Sequence, residues 1–419
     1  MRSRLPRSWT AGAGNAAGPP AAAELAAALE RHVLSAWFPR GLDLVHGGFL
    51  CDFDAAWRPC GEQVKMLEFQ ARQTRVAALG CRLHPGDERW SEWCRHGFDF
   101  LRRSMWDSER GGFFALCARD GKPLEGGYKH GHGLAYAIQA CSEVARTLAD
   151  PEALALAREA FSWLDEHAWD GEHGGYWGWL RADGTPYAVV ASAAPRELDQ
   201  LGTPVGAKDT NVNGDALEAL TELVVTGGVA LAARRVAELV ASFERMVSKH
   251  GTLPARLTRS LDPLDEVVVA GNELQASYRL PLARAALGAP LGFGAVERTL
   301  RAHAATERGA TGGIPQPAGD EQWWAQFEYL RSAAFAAAVD PESRVAARAE
   351  LAAHWRYLGE RFFDEKQGGV FRHPRRGDGS DLKGERWKDG SHEAFALVSM
   401  LEGPPERPST ARTEAPARR

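Results

Sequence analysis

Two kinds of hydrophobic pattern alternate along the chain. Segments such as 151–169 (PEALALAREAFSWLDEHAW) place apolar residues at i, i+3 and i+4 with a charged opposite face, which predicts helices on the outside of a fold. Segments such as 132–148 (HGLAYAIQACSEVARTL) are apolar and alanine-rich on most sides, which predicts helices that are covered all round. The alternation therefore indicates an outer and an inner set of helices.

A short signature separates each outer helix from the inner helix that follows. It reads aromatic residue, Asp, three variable residues, Gly-Gly, aromatic residue, and clear copies begin at Trp106, Trp169 and Phe363. Counting weaker copies, the second glycine stands at Gly48, Gly112, Gly175, Gly251, Gly313 and Gly369. Six units of about sixty residues therefore account for the body of the chain, and such a period is typical of repeat architectures.

The units predict an all-α fold, an (α/α)6 barrel or toroid of six helix-hairpin repeats. Short alternating segments follow each Gly-Gly turn, and Asp120-Gly121 in the second unit is a strong β-hairpin signal. We expect twelve helices in six antiparallel pairs, with the short hairpins at one mouth. An open solenoid is the alternative, but it would need polar capping units and would not have to end after six.

The two ends of the chain differ from this body in composition. Residues 1–22 are rich in Ala, Gly, Pro and Arg, and residues 403–419 are rich in Pro, Arg and Thr. Neither stretch can bury enough apolar surface to offset the entropy of ordering, so both are predicted to be disordered tails. The prediction is a single barrel domain over residues 23–402.

The composition gives no support for a nucleic-acid-binding protein, a membrane protein or a disulfide-rich protein. The 50 basic and 55 acidic side chains nearly balance, which gives no argument for nucleic acid or an anionic membrane surface as a partner. No apolar run approaches the roughly 18 residues of a membrane span. The six cysteines form no CxxC pair and are interpreted as reduced thiols, which favours a cytoplasmic protein.

Each inner helix opens with polar or aromatic side chains, although an inner helix of a barrel should be apolar throughout. Within each cluster the spacing is i+3, i+4 or i+7, which puts the members on one helix face. Six such faces around one axis would line a polar, aromatic-walled pocket suited to a neutral, hydroxyl-rich ligand such as a sugar. The clusters are Lys65, Glu68 and Arg72; Lys129, His130 and His132; Lys208, Asn211 and Asp215; Asn272 and Gln275; Trp323, Trp324 and Glu328; Trp387, Lys388 and His392.

Several of these helices resemble those of the N-acylglucosamine 2-epimerase family, which includes cellobiose 2-epimerases and mannose isomerases. The similar segments are KMLEFQARQTRVAAL, KDTNVNGDALEALTEL, AGNELQASYRL, WWAQFEYL and RWKDGSHEAFALVSM. The resemblance spans nearly the whole body and implies an (α/α)6 barrel. It also implies a sugar 2-epimerase or aldose–ketose isomerase that acts on a free mono- or disaccharide through an enediolate, without a cofactor or metal. A monomer or a homodimer is expected.

The resemblance also implies roles for individual residues. His392 falls on a catalytic histidine, and Glu328 is the other catalytic candidate. The substrate-binding candidates are Arg72, His132, Lys208, Asn211, Asn272, Gln275, Trp324 and Trp387.

The chain departs from the family pattern in two helices. Asn213 and Asp215 stand where the third-unit helix usually has histidines, and Asn272 stands where the fourth-unit helix has its catalytic histidine, with Gln275 in place of the partner Glu. Epimerisation at C2 needs one proton-transfer group on each face of the sugar. An asparagine cannot take up a proton at neutral pH.

Three explanations stay open for the missing group. His130, His132, Asp215 or Glu328 substitutes for it; a single base moves the proton on one face; or the activity is lost. The alternatives to an epimerase or isomerase are a catalytically silent sugar-binding relative and a glycoside hydrolase. For the hydrolase the candidate carboxylates would be Glu328 and Asp215.

Overall fold

The computed structural model describes residues 18–377 and 381–404, and this part of the chain contains twelve long helices. The inner helices are α2 (Leu67–Leu83), α4 (Gly131–Leu148), α6 (Thr210–Gly227), α8 (Ala270–Ala286), α10 (Trp323–Val339) and α12 (Ser391–Glu402). Four outer helices are α5 (Pro151–Ala168), α7 (Ala230–His250), α9 (Ala295–Thr306) and α11 (Arg344–Arg361). The other two, α1 (22–37) and α3 (88–105), contain π-helical turns at Glu30–Leu34 and Leu101–Met105.

The inner helices form a closed ring. Each packs on the next in the order α2, α4, α6, α8, α10 and α12, and α12 packs on both α2 and α1. Each inner helix also packs antiparallel on the outer helix that follows it, while α12 takes α1 from the start of the chain as its outer partner. The predicted (α/α)6 barrel is confirmed, and the open solenoid is excluded because the last unit contacts the first.

Burial follows the two hydrophobic patterns. Every residue of α2 from Leu67 to Gly80 is buried, and so is every residue of α4 from Gly131 to Ala145. In α5, by contrast, the buried positions recur at helical spacing and the outward face is solvated. An inner helix is covered by two inner neighbours and its outer partner, so it needs apolar or internally paired side chains on every face.

Short strands mark one end of the barrel. The strands are β1 (Phe53–Asp54), β2 (Lys65–Met66), β3 (Leu116–Cys117), β4 (Lys129–His130), β5 (Trp179–Leu180), β6 (Lys208–Asp209), β7 (Arg256–Leu257) and β8 (Leu382–Gly384). They form antiparallel pairs β1–β8, β2–β3, β4–β5 and β6–β7. The Asp120-Gly121 turn forms as expected, with the Lys122 carbonyl accepting from Ala118 N–H at 2.8 Å. The strands, however, pair between neighbouring units, and β1–β8 joins the first unit to the last.

The aspartate of the Gly-Gly signature has a double task. In the first unit Asp43 Oδ1 accepts hydrogen bonds from the backbone N–H groups of Val45 (3.3 Å) and His46 (3.2 Å), which shapes the turn. Its Oδ2 lies 3.0 Å from Nζ of the buried Lys65, the residue that opens β2. The arrangement recurs in Asp107–Lys129, Asp170–Lys208 and Asp364–Lys383, with N–O distances of 2.8, 2.9 and 2.8 Å. The two weakest copies have Met246 and Arg308 at the position of this aspartate.

The predicted tails fall mostly outside the described residues, so the domain boundaries stay a prediction. No helix in the described part of the chain is long and apolar enough to cross a membrane.

The buried pairs predict where the barrel is sensitive to mutation. Asp107→Ala would leave the fully buried Lys129 ammonium without its carboxylate, and removing one partner of a buried pair costs about 3–5 kcal/mol. The exposed Lys122–Asp120 pair of the same unit provides the control, because Asp120→Ala should leave the unfolding midpoint nearly unchanged. Urea unfolding of both variants measures the difference, and equal losses would contradict a structural role for the buried pair.

Candidate functional site

The strand-bearing end of the barrel contains a cavity of about 540 Å³. The inner helices all begin at this end, so their N-terminal residues face the same space. The cavity is lined by side chains of the third, fourth and fifth units, among them Asp209, Asn211, Arg256, Asn272, Gln316 and Trp324. Three of the predicted substrate-binding residues, Asn211, Asn272 and Trp324, are therefore brought together on its wall.

The half-buried His392 and the buried Glu328 form a pair next to Trp324 of the cavity wall. His392 Nδ1 lies 2.7 Å from Glu328 Oε1, and the imidazole ring contacts the rings of Trp323 and Trp324 at centroid distances of 6.0 and 5.9 Å. Burial raises the pKa of Glu328, but the hydrogen bond and charge of His392 and the charge of Arg331 outweigh it and lower that pKa to about 2. Glu328 is thus an ionised acceptor for Nδ1–H, which leaves Nε2 as the basic nitrogen.

A phenol and a guanidinium hold Glu328 in place. Tyr278 donates its hydroxyl hydrogen to Glu328 Oε2 at 2.7 Å, and Arg331 donates to the Tyr278 oxygen at 2.9 Å. The carboxylate therefore has one oxygen for His392 and the other for Tyr278. This arrangement fixes the orientation of the imidazole as the outer partners of catalytic histidines commonly do.

His132 is held between two carboxylates. Its Nδ1 lies 2.9 Å from Glu68 Oε1, and its Nε2 lies 2.9 Å from Asp215 Oδ2. Burial lowers the pKa of His132, but the hydrogen bonds and charges of Asp215 and Glu68 outweigh it and raise the pKa to about 9. His132 is therefore an imidazolium at neutral pH. Both nitrogens face carboxylates, so the residue is not available as a base.

Both carboxylate oxygens of Asp215 also have partners. Its Oδ1 accepts from Arg279 at 2.6 Å and from the Tyr136 hydroxyl at 3.2 Å. Burial raises the pKa of Asp215, but the charges of Arg279, His132 and Arg72 outweigh it and hold the pKa well below its usual range. Asp215 is a permanent anion that balances the cations around it. It cannot replace the histidine that the family has at this position.

Arg72 lies close to Asp215 among the same buried charged side chains. Its guanidinium stacks over the ring of Tyr136 at 4.0 Å and lies 3.5 Å from Asp389 Oδ2. Its Nε is buried and has no hydrogen-bond partner within the described residues. Trp387 lies nearby, with its ring 6.0 Å from that of His132. Arg72 thus keeps an N–H donor for a ligand.

The two amides of α8 keep unused acceptors. Asn272 Oδ1 and Gln275 Oε1 are buried without a hydrogen-bond partner in the part of the chain described. Asn272 lines the cavity, and Gln275 lies about one turn further along the helix. Gly271 permits this arrangement, because a Cβ there would stand 2.3 Å from the Trp324 ring. A buried polar atom without a partner points to an absent ligand or water.

Lys208 does not belong to the site, and the prediction is wrong for this residue. Its Nζ donates to Asp170 Oδ2, Gly174 O and Arg259 O at 2.9, 2.6 and 2.8 Å, so all three of its hydrogens are used. Helical spacing does not apply here because Lys208 lies in β6, one residue before the N-cap of α6. Successive strand side chains point to opposite sides, so it is Asp209 that faces the cavity.

Sequence reasoning missed several residues of the site. Arg279 and Arg331 lie about one turn beyond the polar clusters that were selected at the starts of their helices. Asp199 lies in an irregular loop without a local signal. Asp209 stands within the quoted KDTNVNG segment, and its position before a helix was the one available indication. Within the described residues, no group of three or more His, Cys, Asp or Glu side chains is arranged to hold a metal ion.

Comparison with known proteins finds a similarity to one family. Residues 47–187 match the family model described as N-acylglucosamine 2-epimerase (GlcNAc 2-epimerase). The chain is 26% identical over 327 residues to the cellobiose 2-epimerase of Bacteroides fragilis, covering 73% of this chain and 79% of that protein.

Solved structures show the same fold. A cellobiose 2-epimerase from Spirochaeta thermophila superposes with a TM-score of 0.79 at 24% identity, covering 91% of this chain and 95% of that one. A D-mannose isomerase superposes with a TM-score of 0.74 at 19% identity, covering 90% and 96%. The chain is thus similar to the N-acylglucosamine 2-epimerase family over residues 47–187, and it has the fold of these solved structures over about nine tenths of its length.

The charge of His132 predicts a pH dependence of stability. Its raised pKa means that the stabilisation is fully present below the unfolded value of 6.5 and is lost as the pH rises through about 9. His132→Gln should therefore lower the free energy of unfolding most below pH 6.5, with the loss shrinking as the pH rises from 6.5 to about 9. Urea unfolding across this range, with the exposed His46→Gln as control, measures it. A loss that does not change with pH would contradict the charged state.

Proposed function

We propose that this protein is a sugar 2-epimerase or aldose–ketose isomerase that acts on a free mono- or disaccharide. The observation that carries the proposal is the His392–Glu328 pair, with Nδ1 and Oε1 2.7 Å apart and with the His392 ring against Trp324 of the cavity wall. The family relatives named as cellobiose 2-epimerases support the same class of reaction.

The chemistry begins at the carbon next to the sugar carbonyl. His392 Nε2 takes the C2 proton, the C2–H bond breaks, and its electron pair forms the C1–C2 double bond of an enediolate. Glu328 stabilises the imidazolium that results, because it is already ionised and accepts from Nδ1–H. No redox partner is needed, since the electrons stay within the sugar.

The enediolate oxygens need hydrogen-bond donors. Arg72 is the candidate, because its buried Nε–H has no partner within the described residues and its guanidinium is fixed by Tyr136 and Asp389. A donor that is already oriented costs no reorganisation when charge develops on the oxygen. Trp324 and Trp387 supply flat apolar surfaces for a sugar ring, and Asn211, Asn272 and Gln275 supply neutral amide contacts for hydroxyl groups.

The hydrolase alternative loses its chemical support. A glycoside hydrolase needs one protonated carboxylic acid beside the leaving oxygen. Glu328 and Asp215, the two carboxylates considered for that role, are both held ionised by neighbouring cations. A sugar-binding protein without catalysis remains an outcome of the test below.

The proposed setting is the cytoplasm, where the six thiols, none of which forms a disulfide, would remain reduced. The proposed ligand is an uncharged sugar, and the proposed assembly is a monomer or a homodimer.

His392 provides the direct test. The parent protein, incubated with a panel of aldoses in deuterated water, should incorporate deuterium at C2 and form an epimer or a ketose. His392→Asn should lower this exchange by about 10²- to 10⁴-fold, the usual contribution of a general base. Asn272→Ala should lower it less, because it removes hydrogen bonds worth about 0.5–1.5 kcal/mol each. Proton NMR measures exchange, and circular dichroism checks folding.

The possible outcomes separate the alternatives. Sugar binding without exchange in the parent would favour the silent binding protein, and cleavage of a disaccharide would favour the hydrolase. Unchanged exchange in His392→Asn would place the base elsewhere. Equal losses in the two variants would mean that Asn272 takes part in the chemistry and does more than bind.

A further inference from the structure

The cavity wall carries a carboxyl group that the mechanism above does not use. Asp209 is the N-cap of α6 and is only 4% exposed, yet it lines the cavity together with Asn211, Asn272 and Trp324. Its Oδ1 accepts from Val212 N–H at 2.6 Å, and its Oδ2 accepts from the Thr203 hydroxyl at 3.1 Å. Capping the helix accounts for the hydrogen bond to Oδ1 only. The hydrogen bond to Oδ2 connects Asp209 to a cluster of buried polar side chains.

Thr203 joins Asp209 to a second buried carboxylate. While its hydroxyl donates to Asp209, its backbone N–H donates to Asp199 Oδ1 at 2.9 Å. Asp199 Oδ1 also accepts from Leu201 N–H at 2.8 Å, and its Oδ2 lies 3.0 Å from His130 Nε2. Asp199 therefore accepts hydrogen bonds from more donors than Asp209 does. Hydrogen bonds to a carboxylate favour its charged form, so Asp209 is the one of the two that takes up a proton more readily.

His130 has one defined tautomer in this cluster. Its Nδ1 accepts the backbone N–H of His132 at 3.3 Å, so Nδ1 carries no proton. The proton must then be on Nε2, where it is donated to Asp199. Both ring nitrogens of His130 thus have hydrogen-bond partners. The residue is not free to act as a base, which excludes one of the substitutes considered for the missing histidine.

The groups that face Asp209 from the surrounding elements are few. Asp199 lies in the loop before β6, His130 and His132 lie on β4 and α4, and Arg256 is the cross-strand partner of Asp209 in β7. Arg256 Nε is engaged by Asp265 at 2.7 Å. Burial and the negative charge of Asp199 raise the pKa of Asp209 to about 6 against the lowering effect of the Val212 N–H. Asp209 can thus change its protonation state near neutral pH.

Asp209 and His392 also stand on opposite sides of the barrel. In the ring of six inner helices, α6 and α12 are three places apart and so lie across the axis from each other. Asp209 is the N-cap of α6, and His392 is the second residue of α12, so both are at the same end. Asn272, at the position of the family's second histidine, is on α8 next to α6 and lines the same cavity as Asp209.

We propose that Asp209 is the second proton-transfer group of this enzyme and takes over the task of the histidine that Asn272 replaces. The inference rests on the proposed function. His392 removes the C2 proton from one face, and the enediolate forms. The Asp209 carboxyl group then donates its proton to C2 from the opposite face, the double bond reverts to the C1 carbonyl, and Asp209 is left as a carboxylate. In the reverse direction the two residues exchange roles, and solvent restores both protonation states.

The Asp209→Asn variant tests this directly. Asparagine is itself a good N-cap and can keep one bond to Val212 and one to Thr203, so the fold should persist. We expect epimer formation to fall by about 10²- to 10⁴-fold. Deuterium exchange at C2 with retained configuration should continue, because His392 is untouched. A residue with a merely structural role would lower exchange and inversion together.

The pH profile gives a second readout. The kcat/KM profile of epimerisation in the parent should contain a limb near pH 6 that is absent in Asp209→Asn. Asp199→Asn removes the neighbouring negative charge and should move that limb to lower pH. The exposed Asp183→Asn of the same unit controls for a general effect of losing a carboxylate.

The outcomes distinguish this inference from the proposed function. A parent without C2 exchange on any sugar would contradict both. An active parent whose Asp209→Asn variant keeps the parental ratio of inversion to exchange would contradict the inference alone. So would a parent that produces ketose and no epimer, because a single base on one face suffices for that reaction.

Discussion

The ammonium group of a buried lysine lies beneath the Gly-Gly turn in four of the six units, paired with the aspartate that shapes the turn. Each pair ties the end of an outer helix to the strand that leads into the inner helix of the same unit. A buried charge without its partner costs several kcal/mol, so the pair leaves little freedom in where the inner helix begins. The position of the candidate site depends on this constraint, because its side chains stand at or near those helix starts.

The interior of the barrel is governed by a second requirement, the balance of buried charge. A chain of ion pairs and hydrogen bonds runs from Glu68 and His132 through Asp215 and Arg279 to Glu218 and Arg331, and from there through Tyr278 and Glu328 to His392. Each acid in it has a cation or a hydroxyl donor within reach. His392 stands at the cavity end of this chain, and within the described residues its Nε2 has no hydrogen-bond partner. The network thus fixes which histidine is charged and which can accept a proton.

Particular residues show why the site was only partly predictable. The inner-helix pattern and the repeat correctly brought Asn211, Asn272, Trp324, Glu328 and His392 to one end of one barrel. Lys208 was predicted to face the cavity because it was counted as part of α6. It lies instead in β6, a strand of two residues that is too short to show a hydrophobic pattern, and its side chain points away from the cavity. Asp199 was missed because a loop residue acquires its partners from distant segments, here His130 and, through Thr203, Asp209.

The sequence by itself determined the number of units, the order of outer and inner helices and the resemblance to the N-acylglucosamine 2-epimerase family. These depend on local periodicity and on the Gly-Gly signature, whose geometry is set within a few residues. The tertiary structure decided the protonation states and the pairing of the polar groups. His130, His132 and His392 are alike in sequence, but their acidic partners differ: Asp199 for His130, Glu68 and Asp215 for His132, and Glu328 for His392. Burial and neighbouring charge control proton affinity, and both arise only when helices from different units meet.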